Sequence, residues 1–239
     1  MLPRFVGRLG VADVVTIANA ALGFLAVVVA FVDVHLAARL VLLAAVLDGL
    51  DGVLARRYGG TPVGPHLDSL ADVASFAVAP AVLAFVVVTD GAALDGTELG
   101  VELVGVALVC ALFVAMAVTR LGLYTAYDAA DEYTEGVQTT LAATILGAAV
   151  LAGIDDPVVV LGATAAFCYL MVSRVRYPDL LARDAMLMGV VHVLAILIPD
   201  FAGRTFPYAL LTLGVAYLVL GPWLYWRGGA FAARMYGNP

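Results

Sequence analysis

Long apolar runs alternate with short polar breaks along the whole chain, and the breaks carry turn-forming residues. Taken at helical length, the runs predict eight spans, at about 14–32, 36–56, 66–88, 103–127, 137–153, 157–173, 185–198 and 206–226. The intervening breaks are short. Asp33 to His35 reads as a turn, and Arg57 to Pro65, with Gly59, Gly60 and Pro62, as a loop. Asp90 to Glu102 and Asp128 to Glu135 read as acidic loops, and Ser173 to Asp184 as a polar one. Asp155-Asp156-Pro157 marks a turn and a helix start, because proline suits the first helical position. Pro199 to Thr205 closes the series as a turn. Met1 to Asp13, with Arg4 and Arg8, reads as an interfacial lead-in and not as a cleavable signal. The expected fold is all-α: one polytopic membrane domain over residues 1–239, with catalytic helices at about 14–128 and additional helices at about 137–226.

Composition agrees. Of 239 residues, 64% are hydrophobic, against about 45–50% in a soluble domain. All 12 basic residues are arginine, acids number 19, and the net charge is −7. An acidic surplus without lysine fits a salt-adapted, haloarchaeal type of source. No basic stripe is present, so a nucleic-acid partner is excluded. With eight spans, Arg4, Arg8, Arg56, Arg57, Arg120, Arg174, Arg176, Arg183, Arg227 and Arg234 fall on one side and Arg39 and Arg204 on the other. That bias puts both termini on the cytoplasmic face of the cell membrane. Cys110 and Cys168 lie in apolar runs and read as small hydrophobes. His35 and His192 have no partner nearby in sequence, and His66 suits a loop or cap better than a phosphate contact. Trp223, Tyr225 and Trp226 read as an interfacial aromatic belt.

One stretch breaks the apolar pattern in a way that needs explaining. Asp48, Asp51, Asp68 and Asp72 sit among apolar runs, where each charge costs about 2.5–3.5 kcal/mol on insertion scales. Asp48 and Asp51 share a helix face, as do Asp68 and Asp72, and a short turn joins the two segments. Four carboxylates aimed at one point suit hard divalent cations, which take oxygen ligands and substrate phosphates together. Two such ions form a clamp for phosphoryl transfer. Gly49 and Gly52 clear space beside the carboxylates, and Arg56 can pair with phosphate.

The pattern D-x2-D-G-x2-A-R-x7-G-x3-D-x3-D resembles the signature of the CDP-alcohol phosphatidyltransferases. Asp48, Asp51, Gly52, Ala55, Arg56, Gly64, Asp68 and Asp72 fill all its fixed positions. The resemblance implies a CDP-activated lipid donor, CDP-diacylglycerol or CDP-archaeol, and release of CMP. It implies two divalent ions, Mg²⁺ or Mn²⁺, on the four aspartates, and Asp72 as the base that takes the acceptor's proton. It assigns Asp48, Gly52, Ala55, Arg56 and Gly64 to the CDP-lipid, and it implies a homodimer.

Four further segments bear on the acceptor. Thr16, Asn19 and Gly23 lie on one helix face and resemble the T-x2-N-x3-G of serine-transferring members. Members that take inositol phosphate or glycerol phosphate tend to carry arginine where Asn19 stands. Ser75-Phe76-Ala77-Val78-Ala79-Pro80 resembles the S-F-G-V-A-P of phosphatidylserine synthases, with alanine for glycine. Arg120 matches the first arginine of their R-L-A-R-F-N, whereas Leu123, Thr125 and, further on, Gln138 depart from the pattern. Ser173 to Pro178 is similar to their S-x-x-x-Y-P. These segments imply L-serine as acceptor, with Asn19, Ser75 and Arg120 as its contacts and archaetidylserine or phosphatidylserine as product.

Bland alternatives stand beside these roles. Asn19 can supply an interhelical contact, Ser75 can bond the carbonyl four residues back, and Arg120 can snorkel. Asp128, Asp131, Glu132 and Glu135 suit a solvated loop better than a second metal site. The same transfer to inositol phosphate or glycerol phosphate is the alternative chemistry. A cation or proton transporter with an aspartate relay is the alternative of a different class.

Overall fold

The computed structural model describes residues 7–90, 100–128, 133–178, 180 and 182–225. Arg4, Arg227, Arg234, Trp226, Asp131 and Glu132, to which the sequence assigned roles above, lie outside the described residues, as does the Arg183 side chain. Within them the chain folds into eight helices: α1 Val11–Ala30, α2 Val34–Tyr58, α3 Gly64–Thr89, α4 Val101–Leu123, α5 Thr139–Ala152, α6 Pro157–Leu170, α7 Ala182–Leu197 and α8 Thr205–Leu224.

The breaks do the work expected of them. Asp33 caps α2, its carboxylate accepting from the amides of His35 and Leu36 at 2.9 and 3.0 Å. Asp156 caps α6 in the same way, with Pro157 in the first turn. Gly153 ends α5 at φ +80°, where a Cβ would be strained.

The number of helices matches the expected number of spans, but their lengths do not. Among the described residues, α1, α3, α4 with its extension to Tyr127, and α8 are the helices long and apolar enough to cross a membrane by themselves. α2 has 25 residues but carries the charges of the acidic stretch, and α5 and α6 have 14 each. A 14-residue helix reaches about 21 Å, short of a hydrocarbon core of about 30 Å. Among the described residues, four helices are thus full-length apolar spans by length and composition, with shorter or more polar ones among them.

α5 shows how a short helix is accommodated. Every residue except Thr140 and Ala149 is buried, so protein surrounds it on nearly all sides. α2, α8 and α3 pack around it, with Leu42 of α2 against Gly147 and Ile145 against Gly214 of α8. By contrast, α4 leaves Val104, Leu108, Leu112 and Val118 exposed, an apolar face suited to lipid. Cys110 and Cys168 sit reduced in the largest apolar cluster, beside Phe113 and Phe167. His192 is buried in α7, its ring against the Met188 carbonyl at 2.8 Å and the Thr144 hydroxyl at 3.4 Å.

Two departures from an all-helical reading matter for the site. Tyr133–Glu135 (β1) and Arg176–Pro178 (β2) pair antiparallel, with Thr134 opposite Tyr177. Segments expected as acidic and polar loops thus form a small clasp that joins the α4–α5 and α6–α7 connections. Tyr177 fastens it to α8 by donating to the Leu218 carbonyl, and Tyr217 donates to the Pro178 carbonyl at 2.6 Å. In α3, Val73–Val78 adopts π-helical geometry just before Pro80. Such widened turns recur at functional sites.

Candidate active site

α1, α2 and α3 bring the acidic stretch to one end of the bundle. Carboxylate oxygens of Asp48 on α2 and of Asp68 and Asp72 on α3 lie within 4.8 Å of one another. Asp72 is buried, and its Oδ1 has no hydrogen-bond partner among the described residues. Asp51 stands beside this trio with a different attachment: its Oδ2 accepts the Thr16 hydroxyl at 2.5 Å. Three of the four aspartates therefore converge closely, and the fourth is tied to α1.

Negative groups packed this closely need a counter-charge. The donors are hard carboxylate oxygens, one of them buried and unbonded, and that chemistry fits a divalent cation of the Mg²⁺ type. No cluster of histidine or cysteine competes for the role among the described residues.

A cleft of about 350 Å³ opens next to the carboxylates. Asp51, Gly52 and Ala55 form one wall, Gly64, Asp68 and Ser69 another, and Tyr124 and Thr125 of the α4 end a third. Gly49 faces open space, and Arg56 leans over Gly52, its Nη1 3.6 Å from where a Cβ would be. Of the residues that the signature assigns to a nucleotide-linked lipid, Gly52, Ala55 and Gly64 line this opening, whereas Asp48 and Arg56 do not. Asp13 was missed by sequence reading as a site residue. It is buried at the foot of the cleft and accepts from the Gly10 amide at 2.7 Å and the Thr61 hydroxyl at 2.8 Å. A Cβ on Gly64 would sit 3.3 Å from its Oδ1. Asp13 therefore fixes the α2–α3 loop against α1. Its position after a glycine, just before an apolar run, was the available signal, since an acid there caps a helix start.

The crossing of α1 and α3 explains the Thr16, Asn19, Gly23 face. A Cβ on Gly23 would lie 2.7 Å from the Ala74 carbonyl carbon and from Ser75 Oγ, so only glycine admits this approach. Ser75 donates to the Asn19 carbonyl at 2.8 Å, across the helices and not back along its own. Both residues are fully buried, and the Asn19 amide has no partner among the described residues. Arg120 is also buried. Its Nη2 donates to Thr134 of β1 at 2.9 Å, its guanidinium lies over the Tyr124 ring at 5.4 Å, and its charge reaches Asp72. His66 is exposed in the first turn of α3, its amide donating to the Val63 carbonyl at 3.1 Å.

Comparison with known proteins agrees with this geometry. Residues 9–173 match the family of CDP-alcohol phosphatidyltransferases. The chain belongs to that family. It is 29% identical over 170 residues to the archaetidylserine synthase of Methanothermobacter thermautotrophicus, which covers 70% of this chain and 68% of the relative. Over a shorter stretch of 50 residues it is 50% identical to the CDP-diacylglycerol–serine O-phosphatidyltransferase of Mycobacterium leprae, covering 20% of this chain and 17% of that protein. As a member of the family, the chain is a transferase with a CDP-activated lipid as donor, and the carboxylate trio matches the family's use of divalent metal ions.

Proposed function

We propose that the chain transfers the phosphatidyl or archaetidyl group of CDP-diacylglycerol or CDP-archaeol to L-serine and releases CMP. The observation that carries this is the convergence of Asp48, Asp68 and Asp72 beside a cleft walled by Gly52, Ala55 and Gly64. The two serine-transferring relatives support the acceptor.

In this reading Asp48, Asp68 and Asp72, with Asp51 alongside, would hold two divalent ions. When bound, these supply electrostatic stabilisation to the pyrophosphate oxygens. Gly52 and Ala55 let the nucleotide and phosphates lie close to α2, and Gly64 keeps the loop side open. Arg56, exposed at the cleft edge, neutralises phosphate charge. Asp72 takes the proton of the serine hydroxyl. A bond forms between that oxygen and the lipid-bearing phosphorus, and the bond from that phosphorus to CMP breaks. Arg120 meets the acceptor. Asn19 and Ser75, both wholly buried at the crossing, act from behind by setting α3, and with it Asp72, against α1.

The arginine bias supports a cleft that opens on the cytoplasmic face of the cell membrane, where serine and CDP-lipid would meet. The working unit is a homodimer, as the family resemblance implies, and cross-linking in membranes tests it. A transporter reading needs acids distributed across the bundle, whereas these aspartates gather at one end.

The test is CMP release from CDP-lipid with labelled L-serine, inositol phosphate and glycerol phosphate offered separately. Serine alone is expected to be consumed, and transfer to a phosphate-bearing acceptor instead would overturn the assignment. Asp72→Asn should retain CDP-lipid binding and lose turnover by about 10²–10⁴-fold. Near-normal turnover would remove Asp72 from its role.

A further inference from the structure

A second polar cavity, of about 330 Å³, lies on the other side of the α4 end from the donor cleft. Tyr124 and Thr125 line the donor cleft, while Arg120, Leu123 and Tyr127 line this one. The remaining wall comes from the clasp and the end of α6: Glu135, Met171, Ser173 and Arg174. Arg120 thus lines the second cavity while its charge reaches Asp72.

Among the described residues, the charged groups facing this cavity are Arg120, Arg174 and Glu135. They come from three separate elements, and their signs are mixed. Arg174 is exposed and projects from the turn after α6, and Glu135 ends β1. Glu135 accepts from Arg176 through Oε1 at 3.1 Å, so its second oxygen is not engaged by that pair. Two guanidinium groups and a carboxylate facing one small space complement a zwitterion. A phosphate-bearing acceptor would meet the same arginines, but Glu135 would repel it.

We infer that this cavity is the acceptor's entry and binding site, built for an α-amino acid: Arg174 and Arg120 take the carboxylate, and Glu135 takes the ammonium group. The hydroxyl is then the end directed toward Asp72. Thr134 is a positioning residue. It is buried and accepts from Arg120, so it fixes the guanidinium at the cavity wall. This inference rests on the serine reading proposed above and adds the residues that select for serine.

The experiment measures CMP release by the full-length chain in detergent with saturating CDP-lipid, titrating L-serine, ethanolamine and glycerate. Ethanolamine lacks the carboxylate and glycerate lacks the ammonium group. Arg174→Gln should raise the KM for serine about tenfold or more, leave the KM for CDP-lipid unchanged, and narrow the preference for serine over ethanolamine. Glu135→Gln should also raise the KM for serine, but narrow the preference over glycerate instead. Arg176→Gln breaks the same surface ion pair while leaving the Glu135 carboxylate in place, and its serine KM should stay at the wild-type value. Thr134→Val should raise the serine KM, and Thr134→Ser should restore it. Unchanged serine KM in both Arg174→Gln and Glu135→Gln, or an equal rise in Arg176→Gln, would overturn the inference while the serine reading stood. Absence of CMP release with serine in the wild type would overturn the reading itself.

Discussion

At the scale of single residues, Thr16 holds the site and Gly23 permits the helix crossing behind it. Thr16 sits 5% exposed with its hydroxyl on Asp51, a hydrogen bond to a charged group that nets about 1.5–3 kcal/mol. Thr16→Val should weaken the hold on Asp51. If Asp51 supports the ions, the Mg²⁺ concentration for half-maximal CMP release should rise about 10–100-fold, and Thr16→Ser should reverse the change. Gly23→Ala has a different expected outcome. Its Cβ meets α3 backbone at 2.7–2.8 Å, so the helices must separate at a cost of about 1–3 kcal/mol, measurable as a lower unfolding midpoint in detergent. The sequence showed Thr16, Asn19 and Gly23 as one face but not what each does. Spacing along a helix fixes direction, whereas the partners Asp51 and Ser75 lie 35 and 56 residues away.

At the scale of elements, the clasp between β1 and β2 is the part that sequence reading overlooked. Each strand has three residues, and the partners are about 43 positions apart, so neither alternation nor a hairpin turn announced them. The helix starts at Asp33 and Asp156 were legible because capping is local chemistry. The convergence of Asp48, Asp68 and Asp72 was legible because two short-range spacings and one turn set it. Asp51, expected to aim with them, is drawn aside by α1. Gly136 tests the clasp. It adopts φ +77°, and a Cβ there would fall 2.1 Å from the Met171 carbonyl oxygen. Gly136→Ala should displace β1, and with it Thr134 and Arg120. A loss of order 100-fold in kcat/KM for the acceptor is expected while far-UV circular dichroism stays helical.

For the whole molecule, the carboxylates lie at one end of the bundle and the Pro199 to Thr205 turn at the other, near Asp33 and Arg39. Cys110 and Cys168 are buried, so single cysteines report sidedness with little background. Arg57→Cys should react with an impermeant maleimide only from the cytoplasmic face, and Asp200→Cys, at an 84% exposed side chain, only from outside. Chelation of divalent ions should abolish CMP release, and added Mg²⁺ or Mn²⁺ should restore it; activity that persists in chelator would overturn the metal assignment. Span number was the least legible property at this scale, because hydropathy measures greasiness and not whether lipid or protein receives it. α5 is the instance with a consequence for biogenesis. Its neighbours include α8, which a ribosome makes more than 50 residues later. Until then the Leu141 and Ile145 face lacks its permanent cover, so the nascent protein must shelter a half-wrapped central post. Insertion and folding are thereby separated in time, because the Leu141 and Ile145 face closes against Gly214 only once the last helix has docked.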